Sequence, residues 1–195
     1  QNIIENGPLE KLNNTKHTQP SIFIISAIAY NIFKSKFNPP TCCAGHSLGE
    51  ITALYCSKVL EFEEALILIK KRSESMEKAS IDNPGKMLAI INSDKNTINK
   101  IVKRTSIEIA NINSSKQIIL SGTVESVNNT LKYCKKNKIK ALSLPVSGAF
   151  HSSLMESASD ALLETINQLN FKDAIIPIYQ NCNALPTQNK DLIKT

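Results

Sequence analysis

Between residues 41 and 55 the chain reads Thr-Cys-Cys-Ala-Gly-His-Ser-Leu-Gly-Glu-Ile-Thr-Ala-Leu-Tyr, and its apolar period changes there. The segment 41–44 follows Pro39-Pro40 and is short and apolar, which predicts a strand buried on both faces. Beyond it, Ile51, Leu54, Tyr55, Lys58 and Val59 recur at helical spacing. The switch falls on Gly45-His46-Ser47-Leu48-Gly49, a strand, sharp turn and helix in sequence. Such a turn holds its serine in a strained conformation with the hydroxyl exposed at the helix start, and flanking glycines let strand and helix approach. The Leu48 N–H would then point where an oxyanion forms. The plain alternative is a small residue in a tight turn, and the change of period around Ser47 favours the nucleophile.

The remaining chain is expected to build an α/β core around this elbow. Pro20 suits the first turn of a helix whose buried stripe reads Ile22, Ser26, Ala29, Tyr30 and Phe33 until Asn38-Pro39-Pro40 stops it. Glu61-Phe62-Glu63-Glu64 opens another helix, with acids well placed in its first turn, which runs toward Ala79. From Lys86 the texture changes. Strands at 87–91, 107–112, 117–120 and 139–144 and helices at 96–104 and 124–137 give β-α-β-β-α-β, with Ser121-Gly122 as a turn, which is the ferredoxin-like order. Ser153 and Glu156 form a capping box for a helix with the stripe Leu154, Ala158, Leu162, Thr165 and Leu169, and 175–179 reads as a buried strand. The expected fold class is therefore α/β, a core at 1–84 and 146–195 interrupted by a ferredoxin-like insert at 85–145, and the family resemblance set out below implies that the core is a hydrolase-like parallel-sheet domain.

Composition excludes several classes of function. With 195 residues, 42% of them hydrophobic, the chain can bury a proper core, yet no run of 18 apolar residues exists, which argues against a membrane span. Cysteines 42, 43, 56, 134 and 182 are odd in number and lack paired spacing. They read as buried thiols, neither a disulfide framework nor a zinc site, and no metal is expected. The net charge of +6 comes from scattered lysines, and only 5% of residues are aromatic, so nucleic-acid binding is not indicated. The lysine-rich tract 132–138 reads as a solvated helix end, with a docking patch for an acidic protein as the lesser reading. A chain that opens on Gln1, without a charged and then apolar leader, reads as processed or as a fragment.

A serine needs a base to act as a nucleophile at neutral pH. His17 lies in a polar stretch and reads as solvated. His46, inside the elbow, must turn its ring away from the Ser47 hydroxyl and is assigned to the pocket wall. His151, in Gly148-Ala149-Phe150-His151-Ser152-Ser153, sits where a loop opens onto a helix and is the preferred base. Arg72 shares the inward stripe Ala65, Leu68, Ile69, Met76 and Ala79. A buried guanidinium needs an anion, either an internal carboxylate or one carried by a substrate, which its planar fork would grip through two parallel hydrogen bonds. Serine, histidine and arginine together suggest acyl transfer from a substrate bearing a free carboxylate.

These motifs resemble a known family. Gly45-His46-Ser47-Leu48-Gly49-Glu50, Arg72 within Lys71-Arg72-Ser73-Glu74-Ser75-Met76, Asn111-Ile112-Asn113-Ser114, and Gly148-Ala149-Phe150-His151-Ser152-Ser153-Leu154-Met155 are similar to segments of the malonyl-CoA:acyl-carrier-protein transacylases of fatty-acid synthesis, and to the acyltransferase domains of polyketide synthases. By that resemblance Ser47 would accept malonyl from malonyl-CoA as an ester and pass it to the phosphopantetheine thiol of acyl carrier protein, in a ping-pong reaction. His151 would be base and then acid, the Leu48 N–H would serve the oxyanion hole and Arg72 would bind the malonyl carboxylate. Phe150 would exclude an α-methyl branch, Met76 would line the same pocket, and Asn111 and Asn113 are either pocket contacts or strand-end caps. The implied partners are malonyl-CoA and acyl carrier protein, with no cofactor on the chain itself, no nucleic acid and no membrane, and a monomer is expected. The implied location is cytoplasmic in a bacterium, or a plastid such as an apicoplast, or a mitochondrion, in a eukaryote.

The likeness has departures. The family begins with a strand and a Gly-Gln-Gly-x-Gln loop that supplies a second oxyanion donor, and it continues past the equivalent of Thr195 with a segment that orients the histidine. Without that donor the expected loss is ~10² to 10³ in rate. Three rivals remain in view: an acyltransferase domain of a larger fatty-acid or polyketide synthase, a non-catalytic module that docks carrier protein, and an α/β-hydrolase esterase. The esterase would need Asp82 or Asp94 as its triad acid.

Overall fold

The computed structural model describes residues 2–194. Gln1 and Thr195, the outer limits of the expected core, lie outside the described residues. In chain order the elements are α1 (Asn2–Asn6), α2 (Leu9–Leu12), α3 (Thr15–Lys36), β1 (Cys43–Ala44), α4 (Leu48–Cys56), α5 (Phe62–Asp82), β2 (Gly85–Ile91), α6 (Lys95–Thr105), β3 (Glu108–Ser114), β4 (Gln117–Thr123), α7 (Val124–Lys136), β5 (Lys140–Ser143), a 3₁₀ turn (Ser153–Met155), α8 (Glu156–Gln168), β6 (Ile178–Tyr179), β7 (Pro186–Thr187) and α9 (Lys190–Lys194). The fold is α/β, with one mixed and one antiparallel sheet. It divides into two compact units, one of residues up to Glu74 together with those from Ala161 onward, the other Ser75–Asp160. The second unit is wider than the 85–145 segment read from the sequence, because it also takes in the end of α5 and residues 146–160.

The first unit is mostly helical. Its sheet has the order β1-β6-β7, with β1 and β6 parallel and β6 and β7 antiparallel. The core gathers Phe23, Tyr55 and Phe62, whose rings meet edge-on at 5.9 Å (Phe23 with Tyr55) and stacked at 5.3 Å (Phe23 with Phe62), with Val59, Leu60, Ile69 and Ile178 around them. Each fully buried apolar side chain of this size contributes roughly 1.5 to 3 kcal/mol relative to exposure. Tyr30 donates its hydroxyl to the Cys56 carbonyl at 2.9 Å, tying α3 to the end of α4.

Helix α3 corrects the sequence reading in start and phase. It begins at Thr15, because Asn14 caps it by accepting from the Lys16 N–H at 2.9 Å, so Pro20 lies inside the helix. The buried positions are Gln19, Phe23 and Ala27, while Ile22, Ile25, Ile28 and Ile32 are exposed and His17 is half-buried. Residues 22–25 are all apolar or aromatic, so periodicity alone could not choose the face, and the aromatic core chose it.

The second unit holds an antiparallel sheet in the order β3-β4-β2-β5. β2 is buried on both faces, hence its unbroken apolar run. Leu88 and Ile90 pack with Ile98, Ile101 and Val127 of α6 and α7, while Met87 and Ala89 pack with Ile119 on the opposite face. Asp94 and Thr123 cap the two helices, accepting from the N–H groups of Thr97 and Ser126. Ser121-Gly122 is not a turn. Both residues continue β4, with Lys86 paired to Gly122, and a Cβ at Gly122 would lie 2.5 Å from Ser126 Oγ at the start of α7, so that hydroxyl would have to move.

Two further expectations change. Ser153 opens the 3₁₀ turn and is capped by Glu108, whose carboxylate accepts from the Ser153 N–H at 3.0 Å and from its hydroxyl at 2.6 Å, so Glu156 is not its reciprocal cap. Cys42 and Cys182 are exposed, not buried, whereas burial holds the Cys56 thiol protonated, pushed up to about 12. Among the described residues no helix is long and apolar enough to cross a membrane.

Candidate active site

The elbow of the first unit forms as its sequence demands, with one correction. β1 is only Cys43–Ala44, half-buried and exposed in turn, so it is not a strand covered on both faces. Among the described residues it pairs with β6, Cys43 opposite Ile178 and Ala44 opposite Tyr179. The chain then turns through Ser47, whose φ of 53° and ψ of −107° lie outside the regions that side chains favour. Such strain costs of order 1 to 3 kcal/mol and persists only where the surroundings over-determine it. Gly45 makes the turn possible, since a Cβ there would land on the backbone of Gly49 and Glu50. α4 starts at Leu48, and among the described residues the Leu48 N–H has no hydrogen-bond partner, as expected of a first-turn donor left for an anion.

Arg72 reaches this turn from α5. Its Nη2 donates to Ser47 Oγ at 2.8 Å, and its Nη1 donates to Gln19 Oε1 of α3. Among the described residues no carboxylate stands within 4 Å of the guanidinium. Burial pushes the Arg72 pKa down, opposed by the charge of Glu50, yet an arginine starts so high that it stays charged. The result is a fixed cation beside a serine hydroxyl, with room in its hydrogen-bonding fork for an acceptor brought from outside. His46 is exposed.

The other residues singled out by motif belong to the second unit. His151 has φ of 59°, a left-handed conformation uncommon for a residue with a side chain, and is exposed. The turn carrying it is fixed by Ser152 Oγ, which donates to the Ala149 carbonyl at 2.6 Å, and by the Glu108 cap on Ser153. Phe150 packs in two apolar clusters, one with Met76, Ala79 and Met155 and one with Met87 and Ala89. Phe150 and Met76 thus pack against the same small cluster. Asn111 is half-buried on β3, and Asn113 spans the β3-β4 hairpin by donating to Gln117 Oε1 at 2.9 Å. Asp94, a candidate triad acid for an esterase, is engaged as the cap of α6, and its helix-start N–H bonds hold its carboxyl below the usual range.

Sequence reasoning passed over Gln19 and Asn181, and gave no role to Glu50 although that residue closes the elbow motif. Gln19 was findable as the one polar residue on the 19, 23, 27 stripe, once the phase of α3 is known. Asn181 follows β6 by two residues and bonds to the elbow across 134 positions of chain, which no local pattern reveals. Among the described residues no group of three or more metal-ligating side chains comes together.

The family model described as the acyl transferase domain matches residues 1–193. The malonyl CoA-acyl carrier protein transacylase of Synechocystis sp. is 39% identical over 189 residues, covering 96% of this chain and 63% of its own length. The structure of the malonyl CoA-acyl carrier protein transacylase from Coxiella burnetii superposes with a TM-score of 0.94 at 31% identity, over 99% of this chain and 63% of that one. A malonyl-transacylase in complex with a type II polyketide synthase acyl-carrier protein gives the same TM-score and identity, over 99% of this chain and 64% of that one. The chain therefore spans less than two thirds of the length of these relatives.

Proposed function

Because the chain belongs to the acyl transferase domain family, we propose that it carries a malonyl group from malonyl-CoA, through an ester on Ser47, to the phosphopantetheine thiol of acyl carrier protein. The observation that carries this reading is the Arg72 guanidinium at 2.8 Å from Ser47 Oγ, with no carboxylate partner within 4 Å among the described residues. A malonyl thioester has a carboxylate one carbon from the carbonyl to be attacked, so one cation beside the nucleophile can hold the first while the second meets the hydroxyl.

In this reading Ser47 Oγ attacks the thioester carbonyl while His151 takes its proton. The Leu48 N–H donates to the developing oxyanion. Collapse expels the CoA thiolate, which His151 reprotonates, leaving the ester. The carrier thiol then gives up its proton to His151, attacks the ester, and returns the hydroxyl to Ser47. Phe150 and Met76 shape the apolar side of the acyl site, and losing the Phe150 ring admits methylmalonyl by roughly 1 to 3 kcal/mol. His46, Asn111 and Asn113 line the site, and neither metal nor cofactor takes part. The order β3-β4-β2-β5 with its two helices supports a ferredoxin-like insert, and the parallel pair β1 and β6 beside the elbow supports a hydrolase-like core.

The test is labelling with radioactive malonyl-CoA followed by acid quench. The expected result is an acid-stable adduct that Ser47→Ala abolishes. A docking module without chemistry would give no adduct, and an adduct surviving in Ser47→Ala would refute the assignment.

A further inference from the structure

The strand register of the first unit delivers to the elbow a residue that no motif contains. β1 and β6 run parallel with Ala44 opposite Tyr179, so the chain leaving β6 draws level with the turn. There Asn181 spreads its polar groups over the elbow. Its Oδ1 accepts from the Ser47 N–H at 3.2 Å. Its Nδ2 donates to the Gly45 carbonyl at 2.8 Å and to Glu50 Oε2 at 2.7 Å, and its backbone N–H donates to Glu50 Oε1 at 3.1 Å. The amide has only one consistent orientation, because a flip would set its NH₂ against the Ser47 N–H and its oxygen against a carbonyl and a carboxylate.

We propose that Asn181, itself held by Glu50, is the positioning residue of the Ser47 nucleophile. It bonds the entry (Gly45), the apex (Ser47) and the first turn beyond (Glu50), and so supplies the over-determination that a φ of 53° at serine requires. It also divides two consecutive donors: the Ser47 N–H is spent on structure, and the Leu48 N–H is left for chemistry. The inference rests on Ser47 being the nucleophile, not on the identity of the acyl group. Asn181 is exposed, so its bonds contribute little stability, and its substitution should act on rate rather than on folding.

The test measures covalent labelling of Ser47 by a fluorophosphonate probe, with malonyl transfer and melting temperature recorded alongside. Asn181→Asp keeps an oxygen toward the Ser47 N–H but loses both donors and sets a second carboxylate against Glu50. Adding Glu50→Gln returns a donor and acceptor pair. Expected are a labelling rate and a kcat lowered roughly tenfold or more in Asn181→Asp, with KM nearly unchanged, and recovery of most of the loss in the double variant. Glu50→Gln alone should lower both rates by less. A labelling rate in Asn181→Asp equal to wild type overturns the proposal, as does a double variant no faster than Asn181→Asp. Wild-type protein that labels but transfers no malonyl group counts against the substrate reading and leaves the labelling series to decide this one. Wild-type Ser47 inert to both reagents overturns the two together.

Discussion

The two compact units secure a strained residue by different means. The second builds from strands of up to seven residues, buries its central strand on both faces, and holds His151 at φ 59° in a turn pinned by Phe150 packing and the Glu108 cap. The first has three strands of two residues each and a helical, aromatic core, and it holds Ser47 at φ 53° by side-chain hydrogen bonds from Asn181 and Arg72. Apolar packing of Phe150 joins hydrogen bonds at the one turn, whereas the contacts described for Ser47 at the other are polar. Polar contacts can be edited one at a time with little loss of folding, so the first unit is where function should separate from stability.

Three substitutions break or sharpen that contrast. The largest effect is expected from Gly45→Ala, because the added methyl has no space between β1 and α4. It should abolish labelling of Ser47 and cost on the order of 4 kcal/mol or more, read by amide exchange in the first unit, with β2 and β4 still protected. Loss of protection in both units together would mean that they unfold as one. Next, Leu88→Ala, fully buried in β2, should cost about 2 to 5 kcal/mol in denaturant unfolding. Its effect on the chemistry of Ser47 should be smaller than that of any elbow variant, and a larger one would reverse the contrast. The smallest belongs to Ile25→Ser on the exposed face of α3, expected within roughly 0.5 kcal/mol. A large loss there would mean that this face is covered in solution.

What was readable in the sequence follows the range of the interactions involved. The elbow was, because the change of period and the spacing of Gly45 and Gly49 are local. So were the elements of the second unit, since each helix follows or precedes the strand it packs on and carries its own cap. The phase of α3 was not, because apolar residues surround the helix and only contact with Tyr55 and Phe62 selects Phe23. The cap on Ser153 comes from Glu108, 45 positions away, so the nearer Glu156 looked sufficient. Gln19 and Asn181 were missed for the same reason. Their partners, Arg72 and Ser47, lie 53 and 134 positions off, and only the packing of α3 on α5 and the pairing of β1 with β6 bring them together.

The central claim is that the cation beside the nucleophile chooses the acyl group. The direct measurement is the rate of Ser47 acylation by malonyl-CoA and by acetyl-CoA, in wild type and in Arg72→Ala. Losing a charged hydrogen-bond donor to the carboxylate should slow malonyl loading by about 10- to 150-fold while acetyl loading holds or rises. Equal loss with both thioesters, or none with either, would contradict it.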